Sequence, residues 1–80
     1  MSTQNLCLPR MEKLRERVDS LGVSKSKLAV YSELSVMSLN RALEGRAISK
    51  VTAFRLLKGL NKFSETPVEF SHIFQEGSKT

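Results

Sequence analysis

Tryptophan is absent from this 80-residue chain, and tyrosine, histidine and cysteine each occur once. With Cys7 alone there can be no internal disulfide and nothing argues for an oxidising compartment, so the cytoplasm is the default expectation. No apolar run approaches the roughly 20 residues that a membrane span requires. The opening MSTQNLCLPR lacks the charged start and long apolar stretch of a signal peptide, so neither leader nor anchor is expected. The four glycines, at 22, 45, 59 and 77, are too scattered to cradle a phosphate. His72 has no second histidine and no Cys, Asp or Glu cluster at metal-ligand spacing, and Cys7 has no evident base. The expectation is therefore no enzyme, no cofactor, no metal and no small-molecule substrate. His72 is read as a partly buried side chain and Cys7 as a small apolar filler.

What is present suits one small folded domain. The chain is 40% hydrophobic and 26% charged, ordinary globular usage, and its length limits it to a single modest core. Thirteen Lys and Arg against eight Asp and Glu give a net charge of +5, which favours an anionic partner such as nucleic acid. The charge is uneven: residues 1–62 carry twelve basic and five acidic residues, whereas residues 63–80 carry Lys79 against Glu65, Glu69 and Glu76.

Apolar spacing and capping residues divide the chain into five helices with no strand. Pro9 stands at a helix start, followed by Met11, Leu14, Val18 and Leu21 on one helical face, and Gly22 ends that helix. Its outer face interleaves Arg10, Lys13, Arg15 and Arg17 with Glu12, Glu16 and Asp19, a solvated, self-pairing surface. Ser24 caps a short second helix through Leu28 and Ala29 to about Tyr31 or Ser32. The apolar phase then slips. Leu34 does not continue the Leu28–Tyr31 face, and Val36, Leu39, Ala42 and Leu43 begin a new one directly after Ser35, a second cap. A cap placed where the phase resets predicts two helices rather than one. Gly45 closes the third helix. Ser49 caps a fourth, with Val51, Phe54 and Leu57, and Leu56 and Leu60 beside them, as its wide apolar face and Asn61 as its end. Thr66, Pro67 and Glu69 read as the capping box of a fifth, carrying Phe70, Ile73 and Phe74. The expected organisation is a flexible segment over residues 1–8, one domain over 9–75 and a tail over 76–80.

Two short helices joined by a tight turn in a basic bundle are the geometry that carries a second helix into the DNA major groove. The stretch LAVYSELSVMSLNRALEGR resembles the helix-turn-helix core of the Cro and phage-repressor (XRE-type) family. Leu28, Ala29, Ser35, Leu39, Arg41, Gly45 and Arg46 match the pattern, with Leu34 a close substitute for Val. ISKVTAFRLLKGLN is similar to the family's fourth helix at Ser49, Thr52, Ala53, Arg55, Leu56 and Leu60, so the likeness covers residues 10–62. The resemblance implies an all-α, five-helix, lambda-repressor-like DNA-binding domain whose helix-turn-helix is formed by helices 2 and 3. At the turn, where the family favours glycine, this chain has Glu33. Lys25 stands where the family often has glutamine, and Val36 and Met37 occupy recognition positions that are often polar.

On a third helix starting at Val36, the residues Val36, Met37, Ser38, Asn40 and Arg41 fall on the outward side while Leu39, Ala42 and Leu43 turn inward. Arg41 can donate two hydrogen bonds to guanine O6 and N7, or bind a phosphate instead. Val36 and Met37 offer apolar contact to thymine methyls; the spacing equally allows Met37 to pack against the turn or a neighbouring helix. Helix-start amides with Ser24, Lys25, Lys27 and Ser35, and on the far side Arg46, Ser49 and Lys50, form the expected phosphate-contacting set. The terminal apolar stripe of Val68, Phe70, Ile73 and Phe74 completes the core or pairs two copies, with Leu6 and Leu8 as further members. Pairing would present two third helices to an inverted-repeat operator. The expected function is a bacterial or phage transcription regulator, a repressor binding double-stranded DNA as a homodimer. The alternative is a small helical adaptor or antitoxin-like module that binds a protein.

Overall fold

A computed structural model describes residues 6–76. The first four predicted helices form: α1 spans Met11–Leu21, α2 Lys25–Ser32, α3 Val36–Leu43 and α4 Lys50–Phe63, although Met11 and Tyr31, read as members of the inner faces of α1 and α2, are exposed. One leucine from each of the first three helices, Leu14, Leu28 and Leu39, meets Leu56 and Leu60 of α4 in the centre, all fully buried. Gly22 ends α1 in the left-handed conformation at φ 69°, which glycine adopts without the steric penalty of a Cβ.

The chain is mostly helical, as expected, but it also contains a small sheet that the local pattern did not predict. Strands β1 (Leu6–Pro9), β2 (Ile48–Ser49) and β3 (Phe74–Glu76) associate in the order β2-β1-β3, both pairings antiparallel. Cys7 sits opposite Ile48 on one side and Glu76 on the other, and Pro9, which has no amide to donate, lies at the strand's end opposite Phe74. Alternation along β1 buries Cys7 and Pro9 while Leu6 and Leu8 remain half-buried. Cys7 is thus the apolar filler expected of it, inside a strand. The segment expected to be flexible over residues 1–8 is ordered sheet from Leu6 onward, and residues 1–5 lie outside the described residues. Of the tail expected over 76–80, Glu76 ends β3 and residues 77–80 lie outside the described part.

The C-terminal quarter departs furthest from the sequence pattern. The fourth helix does not end at Asn61 but runs on to Phe63, where the Ser64 hydroxyl donates to the Leu60 carbonyl at 3.0 Å. Asn61 instead clasps the following loop: its side-chain oxygen accepts from the Val68 amide at 2.7 Å and its amide group donates to the Val68 carbonyl at 3.5 Å. Held extended there, the chain does not begin a helix at Thr66, and the capping box of Thr66, Pro67 and Glu69 does not form. The fifth helix, α5, is the single turn Phe70–Ile73 with Glu69 before it, and the chain re-extends at Phe74 (φ −129°, ψ 156°) to join β1. Arg10 fastens this arrangement, its backbone amide donating to Ile73 O at 2.6 Å and its Nε to Ser71 O at 3.1 Å. His72 is exposed, not partly buried.

Two further expectations change. The buried side of α4 is Ala53, Leu56, Gly59 and Leu60, so Val51 and Phe54, assigned to its inner face, point outward. Val68, Ile73 and Phe74 are buried in the domain's own core and Phe70 is half-buried, so three of the four residues offered for pairing two copies present no surface.

Helices α2 and α4 approach each other closely at Ser32 and Gly59. A Cβ on Gly59 would overlap the Ser32 hydroxyl and lie 3.0 Å from Ser32 Cβ and 3.1 Å from Ser32 Cα. The Ser32 hydroxyl is buried and has no hydrogen-bond partner among the described residues. Gly59→Ala would gain about 1 kcal/mol of helix propensity but force apart a packed pair of helices at a cost of about 1–3 kcal/mol, and the contact with Ser32 Cα cannot be relieved by a rotamer. Thermal or urea unfolding should show Gly59→Ala destabilised, Ser32→Ala stabilised by about 1 kcal/mol through removal of an unsatisfied hydroxyl, and the double variant better than the sum of the two. Additive effects would mean that the two residues do not touch.

Candidate nucleic-acid interface

The phase slip in the sequence is a real break in the chain. Glu33, between α2 and α3, has φ 59° and ψ 40°, the one non-glycine residue with positive φ among the described residues. Around it the Leu34 amide donates to Ala29 O at 2.9 Å and the Glu33 amide to Val30 O at 3.1 Å. This 6→1 and 5→2 pair is the Schellman ending of a helix. The same pair recurs after α3, where the Arg46 amide donates to Arg41 O at 3.1 Å and the Gly45 amide to Ala42 O at 3.0 Å, with Gly45 at φ 81°. One helix therefore ends on glycine and the other on glutamate in the same left-handed role. Arg55 of α4 reaches the turn, donating from Nη1 to Glu33 O at 3.4 Å.

Helices α2, α3 and α4 each start on a serine. Ser24 accepts from the Lys27 amide, Ser35 from the Ser38 amide and Ser49 from the Thr52 amide, all at 3.1 Å. Ser35 and Ser49 also donate their hydroxyl protons, to Ser38 Oγ at 3.1 Å and to Thr52 Oγ1 at 2.9 Å. These two hydroxyls are occupied within the protein, so an incoming anion would meet the helix amides beside them rather than the serine side chains.

The break rotates α3 so that Leu39, Ala42 and Leu43 are buried while Val36, Met37 and Arg41 are exposed, Met37 at 67%. Ser38 and Asn40 are half-buried at the edges of this face. Arg15 of α1 secures the far end of the helix, donating from Nε to Leu43 O at 2.8 Å, so Arg15, like Arg10, is structural although both were assigned to a solvated surface.

The predicted site residues fall into separate groups. Ser38 and Arg41 share one depression with Ser49, joined by Ala47, Ile48 and Thr52. Thr52 had been matched only as a fourth-helix residue; its signal was the Ser-x-x-Thr spacing that places two hydroxyls at one helix start. Lys25 lies elsewhere, in a depression with Arg15, Val18, Asp19 and Leu43 near the other end of α3. Lys27 is exposed on α2, and Lys50 is half-buried at the start of α4. Arg46 pairs with Glu44 at 3.3 Å, both side chains more than half exposed, which ties its charge only weakly.

No family model, curated protein or solved structure shows significant similarity to the chain. No helix among the described residues is long and apolar enough to cross a membrane.

The left-handed turn predicts its own measurement. A side chain at positive φ costs on the order of 1 kcal/mol that glycine avoids. Glu33→Gly should therefore raise stability by about 0.5–1 kcal/mol, a few degrees in melting temperature for a domain of this size. Loss of stability would mean that residue 33 is helical and that α2 and α3 are one helix.

Proposed function

We propose that the chain is a sequence-specific DNA-binding regulator of the phage-repressor type, with α2 and α3 as its helix-turn-helix and α3 entering the major groove. The observation that carries this reading is the left-handed break at Glu33. It lets Leu28 and Leu39 share one core while Val36, Met37 and Arg41 face outward from a helix only eight residues long. Arg41 is the hydrogen-bonding base reader, and Val36 and Met37 supply apolar contact to thymine methyls. Ser38 and Asn40, at the margins of the face, reach the base or sugar edges.

Phosphate contacts come from two sides. The amides at the start of α4, with Lys50 and the neighbouring Arg46, flank α3 on the side where Ser38 and Arg41 share a depression with Ser49. The start of α2, with Ser24, Lys25 and Lys27, lies on the other. Four cations, Lys25, Lys27, Arg46 and Lys50, engaged with B-DNA would give a slope of log affinity against log salt of about −3 to −4 per protomer. The proposed action is repression by occupying an operator, without any catalytic step. Two protomers on an inverted repeat would place their α3 helices about 34 Å apart.

Titration of duplex DNA at two salt concentrations tests the reading. Binding should weaken steeply with salt, and absent or salt-insensitive binding would contradict it. Arg41→Ala should lose discrimination at particular base pairs, worth about 1–3 kcal/mol each, whereas Arg46→Ala should weaken all sequences alike. Uniform loss in both variants would show that Arg41 binds phosphate. Selection of bound sites from random duplexes would return the half-site and, from its symmetry, the number of protomers bound.

A further inference from the structure

Beyond its start at Ser49 and Lys50, the outer face of α4 has no role in the groove reading. Val51 is 63% exposed and Phe54 51%, one helical turn apart on a helix whose inner side already fills the core. Phe54 is held in place by its neighbours: its ring lies 4.9 Å from that of half-buried Phe70, which in turn lies 5.2 Å from buried Phe74. The apolar surface is thus presented on a rigid base. Around it α4 carries Lys50, Arg55, Lys58 and Lys62 and not one acidic residue. At 3.6 residues per turn, Val51, Arg55, Lys58 and Lys62 fall within an arc of about 60°, with Phe54 at its edge.

We infer that this face docks an acidic amphipathic helix of a partner protein, its apolar stripe on Val51, Phe54 and Phe70 and its carboxylates on Arg55, Lys58 and Lys62. Charge decides the occupant. A second copy laying the same face on this one would oppose cation to cation, and like charges in contact disfavour an interface. Nucleic acid would satisfy the cations but leave Val51 and Phe54 in water. An acidic helix with apolar residues at i, i+3, i+4 and i+7 covers both features, the pattern by which helices are recognised in apolar grooves. The inference does not depend on DNA binding, which uses the α3 side of the molecule.

The probe is a fluorescein-labelled 16-residue peptide with leucine at that spacing and glutamate at the remaining positions. Two controls accompany it, one of the same composition scrambled to remove the stripe and one with lysine for glutamate. The full chain should bind the first saturably and the controls more weakly, with amide shift changes concentrated in residues 50–62 and at Phe70. Val51→Ser, which removes a side chain that is 63% exposed, should weaken binding about ten-fold with little change in the melting temperature. Arg41→Ala, which abolishes only the proposed base contact, should leave peptide binding intact. The inference fails if the peptide does not bind, if the scrambled peptide binds equally, or if Val51→Ser binds like the parent. It also fails if duplex DNA displaces the peptide and shifts the amides of residues 54–62 and of Phe70, or if the free chain sediments as a dimer that Val51→Ser converts to a monomer.

Discussion

Helix α4 lies against α2 where one partner has no side chain and the other has a single hydroxyl. Gly59 admits Ser32 so closely that any Cβ would collide with it, and Ser32 is the last residue of α2. The end of α2 is thereby fixed on the longest helix of the domain, and the left-handed Glu33 follows directly, its carbonyl within reach of Arg55 from that same helix. The direction in which α3 leaves is set at this junction. Leu28, Leu39, Leu56 and Leu60 then converge from three helices on one interior. The burial of the unpartnered Ser32 hydroxyl is a local cost of this close approach.

A second anchor closes the domain from the other end. β1 lies between two strands that are distant in sequence, and Arg10 just after it holds the C-terminal segment by backbone and side chain together. Phe74, almost fully buried, links β3 to the same core that the helices build. The sheet and the helix junction thus both constrain α4. Between them the helix keeps two outward surfaces, its serine-capped start beside Arg41 and its basic, apolar flank.

Much of the helical part was legible because its signals are local. The caps at Ser24, Ser35 and Ser49 and the glycine at 45 each act within a few residues, and the slip between Leu28 and Val36 records the reversal of phase at Glu33. The sheet was not legible. Leu6, Cys7 and Leu8 have too little pattern to mark a strand, and their partners come from residues 48–49 and 74–76, pairings that no window along the chain contains. The Thr-Pro-Val-Glu stretch misled for a related reason: its capping signal is sound locally, but Asn61 holds Val68 extended and the strand claims Phe74. On α4, Val51 and Phe54 compete in spacing with Ala53, Leu56 and Leu60, and only the packing against α2 chooses between the two stripes. At the candidate interface the outward face of α3 was readable from phase alone. The separation of Lys25 from the α4 start, and the internal use of the Ser35 and Ser49 hydroxyls, depend on tertiary contacts that sequence does not display.

The groove reading joins these features into one requirement: the face of α3 that the turn exposes must be the face that meets DNA. Amide chemical shifts of the isotope-labelled chain, followed as a duplex carrying a selected site is added, test this most directly. The expected perturbations centre on residues 36–41, extend to the starts of α2 and α4, and spare β3 and α5. Saturable DNA binding with the largest changes away from α3, or no binding to any selected duplex, would contradict it.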